Sequence, residues 1–210
     1  MKQTKSEITM IYTRSKVLNV TFILFFAFSS ILVSAQGGTL GPTFFSEDKV
    51  NDILSHRDAV AVRFYNVVEN ENTTALTTMA IGVRQDGSEI NGGLFARKYK
   101  VNEGVVGVQT TINGVSRNTA TALCAGVTAQ GLLSFSADFP KETIQSMMNV
   151  KDANGVQILQ VSSGANPTFE ASSAEAANGS WTAPKNAEKS TSTEPCPTFC
   201  DSDNSHYVNR

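Results

Sequence analysis

The sequence predicts an α+β fold: two αββ repeats whose strands form a mainly antiparallel sheet with helices covering one face, plus a mixed insert between the repeats. Three observations predict it. The stretch Phe45–Val67 recurs 94 positions later as Phe139–Val161 without a gap, with Phe45, Asp58, Ala59, Val62 and Val67 returning as Phe139, Asp152, Ala153, Val156 and Val161. Within each stretch the apolar period changes from that of a helix to that of a strand. A second alternating run follows each stretch after a turn. Two small sheets joined by the insert are the alternative arrangement of the same elements.

The elements follow in order. Ser46 stands where a helix cap belongs, with Glu47 and Asp48 in the first turn, where acids meet the positive end of the helix dipole. Phe45 just before the cap and Val50 four residues after it have the spacing of a hydrophobic staple. Val50, Ile53 and Leu54 then make one apolar stripe. After His56-Arg57-Asp58 the period becomes two, with Val60, Val62 and Phe64 on one side and Ala61, Arg63 and Tyr65 on the other. A turn near Asn70-Glu71-Asn72 leads to a strand over Leu76–Arg84, closed by Asp86-Gly87. This is repeat one, 44–89.

The insert spans 90–136. Val105, Val106, Val108 and Ile112 suggest strands interrupted by Gly104 and Gly107. Ala120, Leu123, Cys124 and Val127 fall at i, i+3, i+4 and i+7, and predict a helix capped by Ser116 and stopped near Gly131. Leu132–Phe135 reads as a short strand into repeat two, 137–180. There Pro140 takes the place of Ser46, a position that tolerates proline. Ile144, Met147 and Met148 rebuild the stripe, and Val156 and Ile158 rebuild the strand face. Thr168–Ala176 is the second strand, after a loop two residues shorter than in repeat one. From Ala171 to Pro195 the chain is rich in Ala, Ser, Asn and Thr, with Trp181 its one large apolar residue. Such a stretch buries little surface against its chain entropy, so 181–210 is expected to be a flexible, cysteine-containing tail.

Residues 1–35 read as a signal peptide. Lys2, Lys5, Arg14 and Lys16 precede the apolar run Val17–Val33, and Val33-Ser34-Ala35 suits cleavage before Gln36. An uncleaved signal anchor is the alternative. A Gly-rich leader, 36–43, follows. The expected mature chain, Gln36–Arg210, has 175 residues with 13 basic and 18 acidic side chains. It is long enough for a substantial core. No basic patch with interleaved aromatics stands out, which disfavours nucleic-acid binding. Localisation is expected to be periplasmic or extracellular, with no membrane association after cleavage.

Chemistry is sparsely signalled. Cys196 and Cys200 are expected to form a local disulfide in an exported protein. A thiol-redox pair is the sharper reading, but such pairs favour C-x-x-C opening a helix. Cys196, Cys200, Asp201, Asp203 and His206 have the side chains for a zinc ion without a standard spacing. Cys124 reads as a small core residue. His56 has no counterpart in repeat two, where Val150 stands. Asp58 and Asp152 sit between helix and strand, where aspartate supports a turn. Asn72-Thr73-Thr74 and Asn178-Gly179-Ser180 match the glycosylation acceptor pattern. Arg63 and Tyr65 are candidate binding residues on an outer sheet face that copy two does not reproduce. Nucleophile-elbow, zincin and phosphate-loop signatures are missing, so no catalytic residue, cofactor or metal ligand is assigned.

The combination F-x4-V-x2-I-L-x4-A-V-x-V-R-F-Y, then T-T-M-A-I-G-V-x2-D-G, with the tail Cys196-Pro197-Thr198-Phe199-Cys200, resembles a loosely defined group of uncharacterised exported bacterial proteins. These look like helix-plus-β-hairpin units with a Cys-Pro-x-x-Cys-like C-terminal tail. The resemblance spans both repeats and the tail, misses most of the insert, and implies no activity. The expected function is a non-enzymatic exported binding or interaction module whose partner is another envelope or secreted protein. The alternatives are a thiol-redox or metal-dependent enzyme using the C-terminal cysteines, and a structural envelope component.

Overall fold

Short strands precede the helices Glu47–Leu54 and Lys141–Met148, and they decide the topology. The computed structural model describes residues 40–70, 72–92, 96–103, 114–163, 166–177, 180–192 and 195–196. The expected signal segment, the insert strands around Val105–Ile112, and Cys200 with its neighbours lie outside the described residues.

In chain order the elements are β1 (Thr43–Ser46), α1 (Glu47–Leu54), β2 (Ala61–Val68), β3 (Leu76–Val83), β4 (Lys100–Val101), α2 (Arg117–Ala129), β5 (Ser136–Pro140), α3 (Lys141–Met148), β6 (Gly155–Ser163), β7 (Asn166–Ala177), β8 (Ser180–Thr182), β9 (Lys189–Thr191) and β10 (Pro195–Cys196). The fold is α+β and its strand pairs are antiparallel. The strands divide between two sheets rather than joining one. Sheet I has the order β1-β6-β7-β8, with β9 also on β7; sheet II has the order β10-β5-β2-β3-β4.

The division follows from where the lead strands go. β1 leaves its own hairpin and pairs with β6, placing Phe45 opposite Val156 and Ser46 opposite Gly155. β5 pairs with β2, placing Phe139 opposite Val62 and Pro140 opposite Ala61. Each of these partners in the second set is 94 positions from its counterpart in the first. The backbone bonds at the helix starts follow suit: Glu47 N–H donates to Asn154 O at 2.9 Å, and Lys141 N–H donates to Val60 O at 2.8 Å. Ser46 occupies the N-cap, yet its side chain makes no capping bond. The amide of Glu47, the first helical residue, is satisfied across the sheet.

The hairpins themselves differ slightly. Ala61 pairs with Val83, whereas Gly155, 94 residues on, pairs with Ala174, only 91 on. The second loop is therefore three residues shorter, not two. A slip of one residue would turn every side chain of β7 to the wrong face.

The main core lies where the two sheets meet α1 and α3. Phe45, Val156, Ile158 and Phe169 come from sheet I, Phe64 and Phe139 from sheet II, and Val50, Ile53, Leu54, Ile144 and Met147 from the helices. Burying one such side chain stabilises by about 1.5–3 kcal/mol. A second cluster covers the other face of sheet II, where Ala120, Leu123, Cys124 and Val127 of α2 meet Tyr65, Val67, Met79 and Ile81. These four helix residues are those the periodicity selects, and Ser116 Oγ accepts from Thr119 N–H as the expected cap. Gly126 permits the close seating, because a Cβ there would stand 2.5 Å from a Val68 methyl. With both faces covered, β2 is buried at every position after Ala61.

Three other expectations are corrected. Leu132–Phe135 has no strand; the strand starts at Ser136. Leu40, placed in the leader, is buried in the core, and Thr43 already belongs to β1. The two repeat helices α1 and α3 lie together in the main core, and the insert helix α2 covers the far side of sheet II. The segment expected as a tail from 181 supplies β8, β9 and β10. Backbone pairing to β7 and β5 organises it, and that pairing does not depend on apolar side chains.

Candidate functional site

The residues nominated as an outer binding face, Arg63 and Tyr65, lie instead beneath α2. They alternate along β2 with the core residues Val62 and Phe64, so they point to the side that α2 covers. Arg63 is 2% and Tyr65 0% exposed. Asp138 is directly opposite Arg63 on β5. Its carboxylate accepts from Arg63 Nε at 2.6 Å and from Nη2 at 2.8 Å, a two-point pair.

Glu89 completes the cluster. The turn before it is built by Asp86 and Gly87: Asp86 Oδ1 accepts from Ser88 N–H at 2.9 Å, and Gly87 takes φ +78°. A bridge from Glu89 to Val83 then turns the glutamate inward. Tyr65 Oη donates to its Oε1, and Tyr99 Oη donates to Oε2 at 2.8 Å. Arg63 Nη1 is 3.6 Å from the same carboxylate. Glu89 is 2% exposed. Burial pushes its carboxyl above the usual glutamate range, while the two tyrosine hydroxyls and Arg63 pull it back.

The neighbours respond in kind. Burial, then the Glu89 charge, holds both tyrosine hydroxyls well above their ordinary range. Burial opposes the Arg63 charge, but Asp138, with Tyr65 and Glu89, outweighs it and keeps the guanidinium protonated. Burial and the Glu89 charge raise the Cys124 thiol far above the range in which a thiolate forms. Among the described residues no buried side-chain nitrogen or oxygen is without a hydrogen bond. The cluster therefore joins β2, β5, the turn after β3 and the Tyr99 segment by mutually satisfied bonds. Its chemistry is that of a structural network: phenols as neutral donors, the Glu89 and Asp138 carboxylates as acceptors, one fixed cation.

A second set of buried charges fastens α1 to the segment 99–103. Lys49 Nζ donates to Val101 O at 2.8 Å and pairs with Glu103 at 3.2 Å. Lys100 Nζ pairs with Asp52 at 2.6 Å. Burial lowers the Lys49 amine, Glu103 offsets part of this, and Lys100 adds to the lowering. Glu103 also closes the outer edge of β1, its amide donating to Phe44 O at 2.7 Å and its side chain accepting from Ser46 N–H at 3.3 Å. Sequence reading missed Lys49, Lys100 and Glu89. The one local hint was Lys49 beside the first stripe residue, Val50.

The remaining nominees stand apart. His56 is in the turn after α1, where its Nδ1 accepts from Asp58 N–H at 3.3 Å. Asp58 and Asp152 occupy separate turns, and Asp152 takes φ +71°. Asn72 is exposed in the β2–β3 turn, whereas Asn178 lies outside the described residues. Cys196 is described only as backbone in β10, and Cys200, Asp201, Asp203 and His206 lie outside the described residues, as does the expected disulfide. Among the described residues no three metal-ligating side chains gather.

The outer face of sheet I carries a different feature. Trp181 of β8 stacks on Phe44 of β1, centroids 5.2 Å apart and rings 12° from parallel. Both are half-buried. Gly155 makes room, since a Cβ there would meet the Trp181 ring at 2.7 Å and Phe45 O at 2.4 Å. Comparison with family models, curated proteins and solved structures finds no match for this chain.

Proposed function

We propose that the protein is an exported, non-enzymatic binding or interaction module, with another envelope or secreted protein as its partner. The supporting observation is the fate of its reactive groups. Arg63, Tyr65, Glu89, Tyr99 and Cys124 are buried and occupied in holding the fold. Its docking surface is a sheet face rather than a sheet edge. The described edge strands are short, with β4 and β10 two residues each and β8 and β9 three, and Glu103 closes β1. Short edges offer little backbone to a partner strand. The Phe44–Trp181 stack on the outer face of sheet I is the better anchor, because aromatic side chains supply large contact area at low entropic cost.

The same reading takes the scaffold as a duplicated unit, now βαββ rather than αββ. The shared 94-residue spacing of the lead-strand pairs and of the helix-start bonds supports it.

Immobilised mature protein exposed to an envelope extract is expected to retain a partner that a Trp181→Ala variant retains less. Nothing held above background by either protein would count against the module reading. Equal retention by both would move the docking surface elsewhere.

A further inference from the structure

The described chain divides into an N-half, 40–129, and a C-half, 136–196. The strand pairings that join them are reciprocal: β1 of the N-half adds to β6, and β5 of the C-half adds to β2. β5 also stands between β10 and β2, so the C-half supplies two strands of sheet II. Neither hairpin holds its own lead strand. The bonds between halves therefore form equally well when the two halves belong to different molecules.

The connection between the halves is Gln130–Phe135. It has a partly exposed middle and a fixed end. Gly131 takes φ +73° with open space around an added Cβ, and Leu133 is 50% exposed. Beyond it, Asn66 fastens the entry to β5, donating from Nδ2 to Leu133 O at 2.8 Å and accepting from Phe135 N–H at 2.6 Å. An extended path through 130–133 gives up the closing bonds of α2, from Gly131 N–H to Thr128 O at 2.9 Å and from Leu132 N–H to Val127 O at 3.3 Å, and the seat of Leu132 on the second cluster, while the Asn66 contacts can be remade with a C-half from either source.

We propose that a second copy of this chain is a partner of the fold: two molecules exchange their C-halves about residues 130–133, each receiving the other's β5 and giving its own β1. Closed monomer and exchanged dimer contain the same strand pairs and the same core, and differ in the course of the connection. Exchange of identical elements is a low-cost route to a dimer. Reopening either form requires unpairing both lead strands and exposing Phe45 and Phe139, so the form made during folding persists. The inference rests on the pairing alone, not on the interaction-module reading.

The test uses the full chain with Cys124→Ala, Cys196→Ser and Cys200→Ser, carrying Ala61→Cys in one preparation and Pro140→Cys in another. Positions 61 and 140 face each other across β2 and β5. The two preparations are unfolded, mixed, refolded at increasing concentration and oxidised. Exchange predicts a disulfide-linked 61–140 peptide between chains, rising with refolding concentration. In parallel, wild-type protein refolded at high concentration is sized by light scattering. A dimer with the monomer's far-ultraviolet spectrum is expected. A wild-type sample that stays monomeric at every concentration overturns the proposal, and this arm stands even if the cysteine variants fail to fold. A dimer from folded variants without the 61–140 link also overturns it, because that dimer uses another surface.

Discussion

Phe45 and Phe139, 94 residues apart in the chain, flank the same ring. Their centroids lie 5.2 and 5.7 Å from that of Phe64, each in an edge-to-face arrangement. Each sits on a lead strand that belongs to the other hairpin's sheet. Phe45→Ala and Phe139→Ala are expected to destabilise by similar amounts, about 3–5 kcal/mol each. Because both touch Phe64, the double variant should deviate from additivity. Urea unfolding of the singles and the double checks this. A cost below about 1 kcal/mol for one of them would show that its lead strand is peripheral.

Gly155 is expected to reject a methyl group. Gly155→Ala forces Trp181 off its seat on Phe44 and presses on Phe45 O, at a cost of about 1–3 kcal/mol. Trp181 is the only tryptophan, so its emission reports the displacement directly. The expected outcome is a shift of the native spectrum toward that of exposed indole. An unchanged spectrum would remove the packing argument.

Glu89 should give stability a sign opposite to that of a typical surface carboxylate. Burial raises its folded-state pKa above the unfolded value. The folded form then binds the proton more readily, so this group's contribution to stability falls as pH rises from the ordinary glutamate range through the raised value. Glu89→Gln is expected to flatten that part of the profile while preserving the shape of the cluster. Glu89→Ala, which strands two tyrosine hydroxyls and part of the Arg63 charge, is expected to cost about 3–5 kcal/mol. Urea midpoints measured from about pH 4 to 8 separate the variants.

Cys124 is expected to resist alkylation in the native protein and to react once denaturant is added, since burial and the Glu89 charge hold its thiol protonated. Intact mass after treatment gives the answer. The same measurement reads Cys196 and Cys200. A deficit of about two daltons without labelling identifies a disulfide, whereas labelling of both in native protein would favour the thiol-based reading.

What the sequence reveals depends on how local the cause is. α2 is legible to its cap because Ser116, Ala120, Leu123, Cys124 and Val127 lie within four turns of one another. The apolar stripe of α1 and the alternation of β2 are legible for the same reason. β1 and β5 are not, because four or five residues before a helix carry too few alternations to stand apart from a staple. The short strands within 180–191 are hidden because Ser, Thr and Lys pair there through their backbones. The polar cluster is hidden by distance: Arg63 and Asp138 are 75 positions apart. Tyr65 and Arg63 look like outer-face residues until α2, from beyond β4, is laid over them.

The crossing of the lead strands sets a timetable for the chain. Thr43 finds its strand partner Ile158 only 115 residues downstream. A chain emerging end-first from a ribosome or a translocation channel holds β1 and α1 long before β6 exists. Contacts this distant in sequence make closure slow. Until the final third arrives the leading portion remains threadable, and the fold locks in one late step.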